Sequence, residues 1–494
     1  MTAILLAWSP VILLAVLAMI FRQGALTLAV AGYLWTCLLA VGAFTTPVRM
    51  VLMATLDGFL TTLPLLLVVY GGILLASVLI ETGSLKRLAD WFTGAVRDEW
   101  QRVSLLAMGM GNALEGAGII AEPVAAPMLR ASGLAPAAAA ALSIIGYSGL
   151  MTLGLGGVIV TVLANVTGYP AEALVGRIGA LSVPAAVLMS WSIPWILGRW
   201  RDFPGKLVYL TAMGLISGLA AWVAVVIIGY QVGELAGGVV LTVFLVAPGY
   251  RRLKPNRAII RDMVPFLIMG CGILAVNMTP VLKEWTRNQA VFSLSVIQGR
   301  NIIFRPLSDA YLYLLIAFAA AHIMMVRGKG LGKSLLQGTV QGWRPLVAMA
   351  LFGAMGQVLA FTGVSPSSPA LMDSSRHAPS ILALSMAGAG AAYPLFVPLL
   401  GWVGTFLTGY GVASIMLFAT LQAGIAARLG VSPELLVTGL AVGASVGGIS
   451  SPFKVAFAAS MSGATGMEGD ILRKTIPLGI VSCLVLGVFL LFMA

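Results

Sequence analysis

Three charged side chains stand within apolar sequence, where an ionisable group is costly and is usually functional or paired. Glu115 and Glu122 lie in the Gly-rich segment 103–131, and Lys454 follows the Ser450-Ser451-Pro452-Phe453 run. Burial favours the protonated form of a carboxylate, which is the property that a proton carrier needs. We therefore expect Glu115 and Glu122 to serve proton coupling and Lys454 to neutralise the carboxylate of a small organic anion.

Each of these charges also has a structural alternative. A glutamate in this segment could belong to a structural ion pair, and Arg130 is an obvious partner in the same segment. The lysine could extend its ammonium group toward water or pair with a glutamate. The sequence alone leaves the functional and the structural interpretations open.

Small and polar residues near these charges could supply further contacts to a carboxylate. Hairpin tips and broken helices leave backbone N–H groups free, with the positive ends of half-helix dipoles at the break, and such groups bind anions. The same glycines could instead permit close packing, and the hydroxyls could bond carbonyls of their own helices. The candidate binding residues are Asn112, Gly116, Ala117, Gly118, Ser148, Thr408, Gly409, Tyr410, Ser414, Ser445, Ser450 and Lys454.

The composition places these residues in a membrane protein. Of 494 residues 60% are hydrophobic and only 9% are charged, whereas soluble domains carry roughly 25% charged residues. The net charge of +12 is more typical of basic cytoplasmic loops than of nucleic-acid binding. Three cysteines without CxxC spacing and two distant histidines, His322 and His377, predict neither a metal site nor a cofactor.

Apolar runs of spanning length predict an all-α polytopic fold with about twelve transmembrane helices. Two further segments, 103–131 and 395–428, are interrupted by Gly and Pro and are predicted to be re-entrant hairpins. The predicted spans are 4–20, 24–43, 59–80, 134–165, 173–198, 207–229, 235–249, 262–281, 307–326, 345–363, 433–463 and 475–493.

The distribution of basic residues predicts an orientation. With both termini outside, most of the 29 basic residues fall in alternate loops, and the basic side of a membrane protein is cytoplasmic. The exception is the loop 282–306, which places Lys283, Arg287, Arg300 and Arg305 outside. Asp57 and Glu81 flank a predicted span and are expected at the membrane interface.

An internal repeat is visible at an offset of 297 residues. Gly133-Leu134-Ala135-Pro136 aligns with Gly430-Val431-Ser432-Pro433, and Gly146-Tyr147-Ser148-Gly149 aligns with Gly443-Ala444-Ser445-Val446. Each Gly-x-x-Pro motif follows a predicted hairpin and opens a long span, and proline suits the first turn of a helix. The charge-derived topology makes the two copies inverted, which places a substrate site near the midplane at the repeat interface.

This repeat divides the chain into four parts. Residues 1–58 form N-terminal helices, and 59–198 form the first repeat with hairpin 103–131. Residues 199–344 supply linking and scaffold helices, and 345–494 form the second repeat with hairpin 395–428.

At the repeat motifs the chain resembles the L-lactate permease family of bacterial proton-coupled carboxylate transporters. The first hairpin is similar to the family pattern L-E-G-A-x-G-F-G-x-P-V-A, and the second region to G-W-L-G-x-F-L-T-G, L-F-x-x-L-Q, G-V-S-P-x-L-L-V and I-S-P. The residues that carry the resemblance are Leu114 to Ala125, Gly401 to Gly409, Leu417-Phe418, Leu421-Gln422, Gly430 to Val437 and Ile449 to Pro452.

The resemblance implies a multi-pass protein of the bacterial inner membrane that takes up lactate, glycolate or similar 2-hydroxy-monocarboxylates by proton symport. It also implies an inverted-repeat fold in which a transport domain moves against a scaffold like an elevator. Two departures leave the exact substrate and the coupling open. Tyr410-Gly411-Val412-Ala413-Ser414 replaces a polar Ser-Asp-type run, and Glu122 replaces a residue that is usually small.

Other functions have weaker support in the sequence. A different organic anion with another coupling ion, or an anion channel, would fit the same composition, although alternating broken repeats favour a carrier. An intramembrane enzyme would need a catalytic pair or a metal cluster, and a primary pump would need a nucleotide site such as GxxxxGK[ST]. The expected partners are the anion, protons and lipid, and a homodimer is also compatible with the apolar surface.

Overall fold

The computed structural model of the protein describes residues 2–21, 23–96, 98–254, 256–326, 330–365, 368–372 and 375–493. The first third of the chain contains a π-helix, Leu105–Met110, and two 3-10 turns, Met151–Leu153 and Leu155–Gly157. Its α-helices are α1 Thr2–Met19, α2 Ala25–Gly42, α3 Val48–Glu81, α4 Ser84–Thr93, α5 Glu99–Ser104, α6 Gly111–Gly116, α7 Glu122–Ala131, α8 Pro136–Ser148 and α9 Val158–Thr167.

The middle third adds longer helices and one pair of short antiparallel strands, β1 Phe292–Leu294 and β2 Ile302–Phe304, in which Ser293 pairs with Ile303. Three 3-10 turns lie at Trp200–Asp202, Tyr230–Val232 and Ala247–Arg252. The α-helices are α10 Ala171–Trp191, α11 Ile193–Ile196, α12 Phe203–Ile227, α13 Gly233–Val246, α14 Arg257–Met278, α15 Pro280–Asn288, α16 Ala310–Val326 and α17 Leu331–Ala360.

The last third begins with a second strand pair, β3 Val364–Ser365 and β4 Ser368–Met372. Two 3-10 segments lie at Ala387–Ala392 and Gly448–Ser450. The α-helices are α18 Ala378–Met386, α19 Tyr393–Thr408, α20 Gly411–Leu429, α21 Pro433–Gly447, α22 Pro452–Ser462 and α23 Glu468–Met493.

The helices confirm a polytopic membrane protein. Eleven helical segments of the described chain are long and apolar enough to cross a membrane, and four shorter apolar helices accompany them. All twelve predicted spans coincide with helices, and the spans at 134–165 and 433–463 are each divided into two helices. The arms of the second hairpin, α19 and α20, are themselves among the eleven, so its re-entrant course stays a prediction, as do the elevator arrangement and the side of the membrane that the termini occupy.

Packing brings the hairpins against the broken helices of their own repeats. The second hairpin places both of its arms, α19 and α20, against α21, and α19 also packs on α23. In the first repeat α7 and the π-helix pack against α8. Outside these groups α3 packs along α17, and α10 along α12. The interrupted parts of these helices are therefore enclosed by protein.

The loop 282–306 is folded, and its Arg300 pairs with the buried Asp57 of α3. Arg300 Nε lies 2.9 Å from Asp57 Oδ1, and its Nη1 donates to the Val166 carbonyl at 3.3 Å. Asp57 is fully buried within the protein and lies on α3, which begins at Val48, eleven residues before the predicted span; its position at the membrane interface stays a prediction. The Asp57 carboxylate neutralises Arg300, which is one of the four basic residues that the predicted topology places outside.

Candidate functional site

The first broken helix is interrupted by a run of left-handed backbone. After α8 ends at Ser148, the chain forms two 3-10 turns, in which Leu155, Gly156 and Gly157 have φ angles of 52°, 62° and 77°. Glycine adopts this region without steric cost, whereas leucine does so rarely. The run redirects the chain before α9 begins at Val158, and it lies entirely within the protein.

The second broken helix uses proline to restart. Helix α21 ends at Gly447, a 3-10 turn covers Gly448–Ser450, and α22 begins at Pro452. A proline in the first turn loses no helical hydrogen bond because that N–H is unpaired in any case. The prolines of the two Gly-x-x-Pro motifs, Pro136 and Pro433, likewise stand at the first positions of α8 and α21, as the repeat predicts. The inversion of the two copies stays a prediction.

Two glycines separated by the repeat offset permit equivalent contacts. A Cβ added to Gly146 would lie 1.9 Å from the Ala107 carbonyl oxygen, and one added to Gly443 would lie 2.0 Å from that of Pro398. In each repeat the broken helix therefore touches the backbone of the first hairpin arm. At these positions glycine serves close packing, which is the structural alternative that the sequence left open.

The two breaks meet inside the protein. Thr152, in the first break, and Ser445, near the end of α21, have their hydroxyl oxygens 2.5 Å apart. Gly448 lies beside both repeats, since its missing Cβ would be 3.6 Å from Lys454 Cδ and 3.7 Å from Ser148 Oγ. The contact places residues of the first repeat beside Lys454 of the second.

Lys454 is linked to Glu122 through a tyrosine. The Lys454 ammonium donates to the Tyr147 hydroxyl at 2.8 Å, and that hydroxyl donates to Glu122 Oε1 at 2.6 Å. All three side chains are buried, and Lys454 is the most exposed of them at 8%. The lysine is therefore held in the interior and does not reach toward water. The Lys454 ammonium also lies 3.6 Å from the Met151 sulfur.

Glu115 fixes the tip of the first hairpin. Its Oε1 accepts a hydrogen bond from the Ala121 backbone N–H at 3.0 Å, and the side chain is 3% exposed. Glu115 also interacts electrostatically with Glu122 and with Lys454. Arg130 instead donates to the Leu134 carbonyl, so the described contacts give no support to the structural ion pair that the sequence allowed.

A third buried carboxylate, Glu234, was not predicted. It lies in the first turn of α13 with 0% exposure, and neither carboxylate oxygen has a hydrogen-bond partner among the described residues. Gly154, in the first break, leaves the space for it, since a Cβ there would lie 2.0 Å from Oε2. Glu234 interacts electrostatically with Glu115 and Lys454 and so belongs to the same cluster.

The hydroxyl candidates are mostly engaged with backbone carbonyls. Ser148 donates to Ile144, Thr408 to Gly404 and Ser414 to Gly401. Ser450 donates to the Thr475 carbonyl and accepts from Trp402 Nε1, which directs it toward α23. Ser445 is the hydroxyl that reaches the other repeat. The bonds of Ser148 and Thr408 stay within their own helices and match the structural alternative, whereas Ser414 and Ser450 bond carbonyls of neighbouring helices. A hydroxyl oxygen can still accept a further hydrogen bond.

The residues at the hairpin tips lie in different surroundings. Gly116 touches the backbone of Leu235, Ala117 is buried, and the carbonyl of Gly118 would lie 2.0 Å from a Cβ on Gly72. Gly409 faces the Phe453 side chain, and the Tyr410 ring centroid is 5.2 Å from that of Phe453. The first tip therefore packs on α13 and α3, and the second packs beside Lys454.

Two polar atoms at the margin of the cluster have no partner among the described residues. They are the Tyr410 hydroxyl and Asn112 Oδ1. Asn112 Nδ2 donates to the carbonyls of Met108 and Gly146, which ties the hairpin arm to α8. Tyr410 is close enough to Glu122 for an electrostatic interaction between them. The Tyr410 hydroxyl can donate a hydrogen bond to a polar ligand or accept one, and Asn112 Oδ1 can accept one.

The arrangement is a buried cluster of one lysine, three glutamates and a tyrosine at the junction of the two repeats. Among the described residues, no group of three or more His, Cys, Asp or Glu side chains is placed to hold a metal ion. An interior lysine with one direct oxygen partner can bind a carboxylate, since an ammonium has three donors. Buried carboxyl groups can take up and release protons, so the cluster suits binding of an anion together with protons.

Two members of the cluster, Tyr147 and Glu234, are absent from the candidates chosen on the sequence, and only Tyr147 carries a recognisable signal there. Tyr147 lies in the repeat motif Gly146-Tyr147-Ser148-Gly149, whose other residues are small. An aromatic side chain with a hydroxyl in such a run is a signal for a residue of the site. Glu234 adjoins a predicted span that begins at 235, a position typical of an interfacial residue. Its burial follows from the packing of α13 on the first break, which no local pattern predicts.

The chain is similar to known transporters over nearly its whole length. The family model of L-lactate permease matches residues 3–300 and 258–494. The L-lactate permease of Escherichia coli (strain K12) is 26% identical, covering 97% of this chain and 95% of that protein. The glycolate permease GlcA of the same strain is also 26% identical over 99% and 95%. The L-lactate permease of Halalkalibacterium halodurans is 23% identical over 94% and 92%.

Proposed function

Since the chain belongs to the L-lactate permease family and is a membrane transporter, not an enzyme, we propose that it carries small 2-hydroxy-monocarboxylates such as lactate or glycolate by proton symport. The proposed location is the bacterial inner membrane. The substrate class is supported by the relatives named as lactate and glycolate permeases. The observation that supports proton coupling is the buried Lys454–Tyr147–Glu122 chain with Glu115 and Glu234 beside it.

In this proposal Lys454 binds the substrate carboxylate. Its ammonium already donates to Tyr147, and a further N–H can turn toward an anion at the junction of the two breaks. A charged hydrogen bond in a buried site contributes about 1.5–3 kcal/mol. Tyr410 and Asn112 are the proposed contacts for the 2-hydroxyl, because each has a buried polar atom without a described partner.

Charge balance links substrate binding to proton binding. With every group ionised, the three glutamates exceed the one lysine, and an added carboxylate would be repelled. Two unit charges about 8 Å apart at an effective dielectric constant of about 20 interact by roughly 2 kcal/mol. Binding of the anion also cancels the lysine charge that favours ionised glutamates. Anion binding and glutamate protonation therefore favour each other, and linkage makes this effect reciprocal.

The proposed transport step moves this neutral, loaded cluster across the membrane. Burying an uncompensated charge costs several kcal/mol, so the cluster moves readily when it is empty and internally balanced or when it holds both the anion and protons. Alternating access would then follow from movement of the repeats that meet at the Thr152–Ser445 contact. An elevator movement of hairpins and broken helices against a scaffold is the form that we propose.

The test is concentrative uptake of radiolabelled lactate by proteoliposomes under imposed ion gradients. We expect an inward proton gradient to drive accumulation and sodium or potassium gradients of equal size to fail. Unlabelled glycolate should compete well, whereas propionate, which lacks the 2-hydroxyl, should compete about tenfold less well because one hydrogen bond is lost. Accumulation that follows sodium and ignores the proton gradient would contradict proton symport.

The two glutamates chosen from the sequence are tested in the same assay. Glu115→Gln and Glu122→Gln are expected to lower proton-driven accumulation, and Glu81→Gln, which alters an exposed carboxylate at the end of α3, serves as the matched control. Full accumulation by one of the variants would remove that glutamate from the coupling mechanism. Full accumulation by both would place the proton on another group.

A further inference from the structure

We propose that Glu234 is a proton-exchanging carboxyl of the carrier, which passes protons between the first break and Glu115. The inference rests on the proposed proton symport and adds to it a residue on a helix outside both repeats. It also explains the glycine at position 154, because a Cβ there would occupy the space that the Glu234 carboxylate fills in the break.

The first observation is the isolation of the Glu234 side chain. It is completely buried, and both of its oxygens lack a hydrogen-bond partner among the described residues. A buried carboxylate without partners is costly, and an ionisable residue kept in such a place is a functional candidate. A purely structural residue at this position would be better replaced by an apolar one of the same size.

The second observation is that Glu234 and Glu115 are carried by touching backbones. A Cβ on Gly116, the residue after Glu115, would lie 2.2 Å from the backbone nitrogen of Leu235 and 2.8 Å from the carbonyl carbon of Glu234. The end of α6 therefore packs directly on the start of α13. This contact holds two buried carboxyl groups close together from independent helices.

The third observation is the set of titratable groups that face Glu234. Glu115 on α6, Lys454 on α22 and Tyr147 on α8 interact with it electrostatically. On the 3-10 turn before α13, Tyr230 presents its ring to Gly157 in the same break. Glu234 thus lies beside the break at Gly154 and interacts both with Glu115 and with the Lys454 and Tyr147 members of the Lys454–Tyr147–Glu122 chain.

The chemistry is a reversible transfer of one proton. Glu234 in its protonated form donates the proton to the Glu115 carboxylate, directly or through one water molecule, and becomes a carboxylate itself. The reverse step restores it, and no other bond changes. Because Lys454 favours one ionised glutamate in its vicinity, the proton can reside on either carboxyl while the charge of the cluster stays constant.

The experiment separates proton movement from substrate exchange in one preparation. Glu234→Gln protein in proteoliposomes is compared with the parent and with Glu81→Gln for lactate-driven proton influx and for counterflow of radiolabelled lactate. We expect proton influx to fall by at least about tenfold while counterflow falls by no more than a few-fold, and Glu81→Gln to match the parent in both. Glu234→Asp, which keeps a carboxyl, should restore proton influx with a displaced pH profile.

Two results would overturn the inference. Glu234→Gln with parental proton influx and pH profile would show that no proton uses this carboxyl. Loss of counterflow and proton influx together, in a Glu234→Gln protein that still unfolds cooperatively on heating, would assign Glu234 to substrate binding or structure. Failure of the proposed function is distinguishable, because the parent protein itself would then show lactate counterflow without proton influx.

Discussion

Replacing Lys454 by methionine tests the proposed anion contact most sharply. The substitution keeps the length and apolar stem of the side chain and removes the ammonium that donates to Tyr147 at 2.8 Å. If the same ammonium binds the substrate carboxylate, the variant loses one charged hydrogen bond worth about 1.5–3 kcal/mol. That loss corresponds to about a 10- to 150-fold weaker Kd for lactate.

The assay is thermal unfolding of the detergent-solubilised protein across a series of lactate concentrations. At a concentration of about 100 times the parental Kd, ligand binding stabilises the parent by about 2.7 kcal/mol, and a variant with 100-fold weaker binding by about 0.4 kcal/mol. Only the ligand-induced shift is compared, because removal of a buried charge also alters the stability of the unliganded protein.

Two controls accompany this variant. Lys86→Met removes an exposed lysine on α4 and should leave the lactate-induced shift unchanged. Lys454→Arg keeps the charge in a larger, planar group and should bind lactate more weakly than the parent but more tightly than Lys454→Met. If Lys454→Met is stabilised by lactate with the parental concentration dependence, Lys454 does not contact the substrate and the assignment is wrong.

Two further predictions concern packing and charge pairing around the site. Gly146→Ala would place a methyl 1.9 Å from the Ala107 carbonyl oxygen and should lower the unfolding free energy by about 1–3 kcal/mol. Gly176→Ala, whose methyl would meet nothing within 4 Å, is the control. Equal stability of the two variants in thermal unfolding would refute the packing argument. Asp57→Asn leaves the Arg300 guanidinium without its carboxylate and should lower the free energy of unfolding, measured by thermal unfolding, by about 3 kcal/mol. The Asp57→Asn, Arg300→Gln double variant should recover part of this loss. A single Asp57→Asn variant as stable as the parent would show that the ion pair does not contribute to stability.

The local features of the repeats could be predicted because local chemistry determines them. Pro136 and Pro433 start helices since a proline in the first turn costs no helical hydrogen bond, and the glycine-rich runs after them break those helices. The spans at 134–165 and 433–463 were predicted as interrupted, and each is two helices in the structure. The strand pair β1 and β2 was missed, because three-residue strands carry too few residues for an alternating pattern to be seen.

The connections within the site could not be predicted because they are tertiary. Lys454 and Tyr147 are 307 residues apart, and their contact depends on how the two breaks cross. The burial of Asp57 depends on a helix that starts earlier than its apolar run, with Arg300 supplied by a distant loop. The hydroxyls of Ser148, Thr408 and Ser414 are candidates from the sequence as polar groups near a break or a hairpin tip, but the sequence could not decide that each donates to a backbone carbonyl.

The measurement that tests the central claim most directly is proton movement driven by substrate alone. Proteoliposomes containing the protein and an internal pH indicator receive lactate outside, with no imposed gradient of pH, sodium or potassium and with the membrane potential clamped. The account predicts acidification of the interior that depends on the protein, proceeds in step with lactate entry and is strongly reduced in Glu115→Gln. Protein-dependent entry of lactate with no acidification of the interior would contradict proton symport.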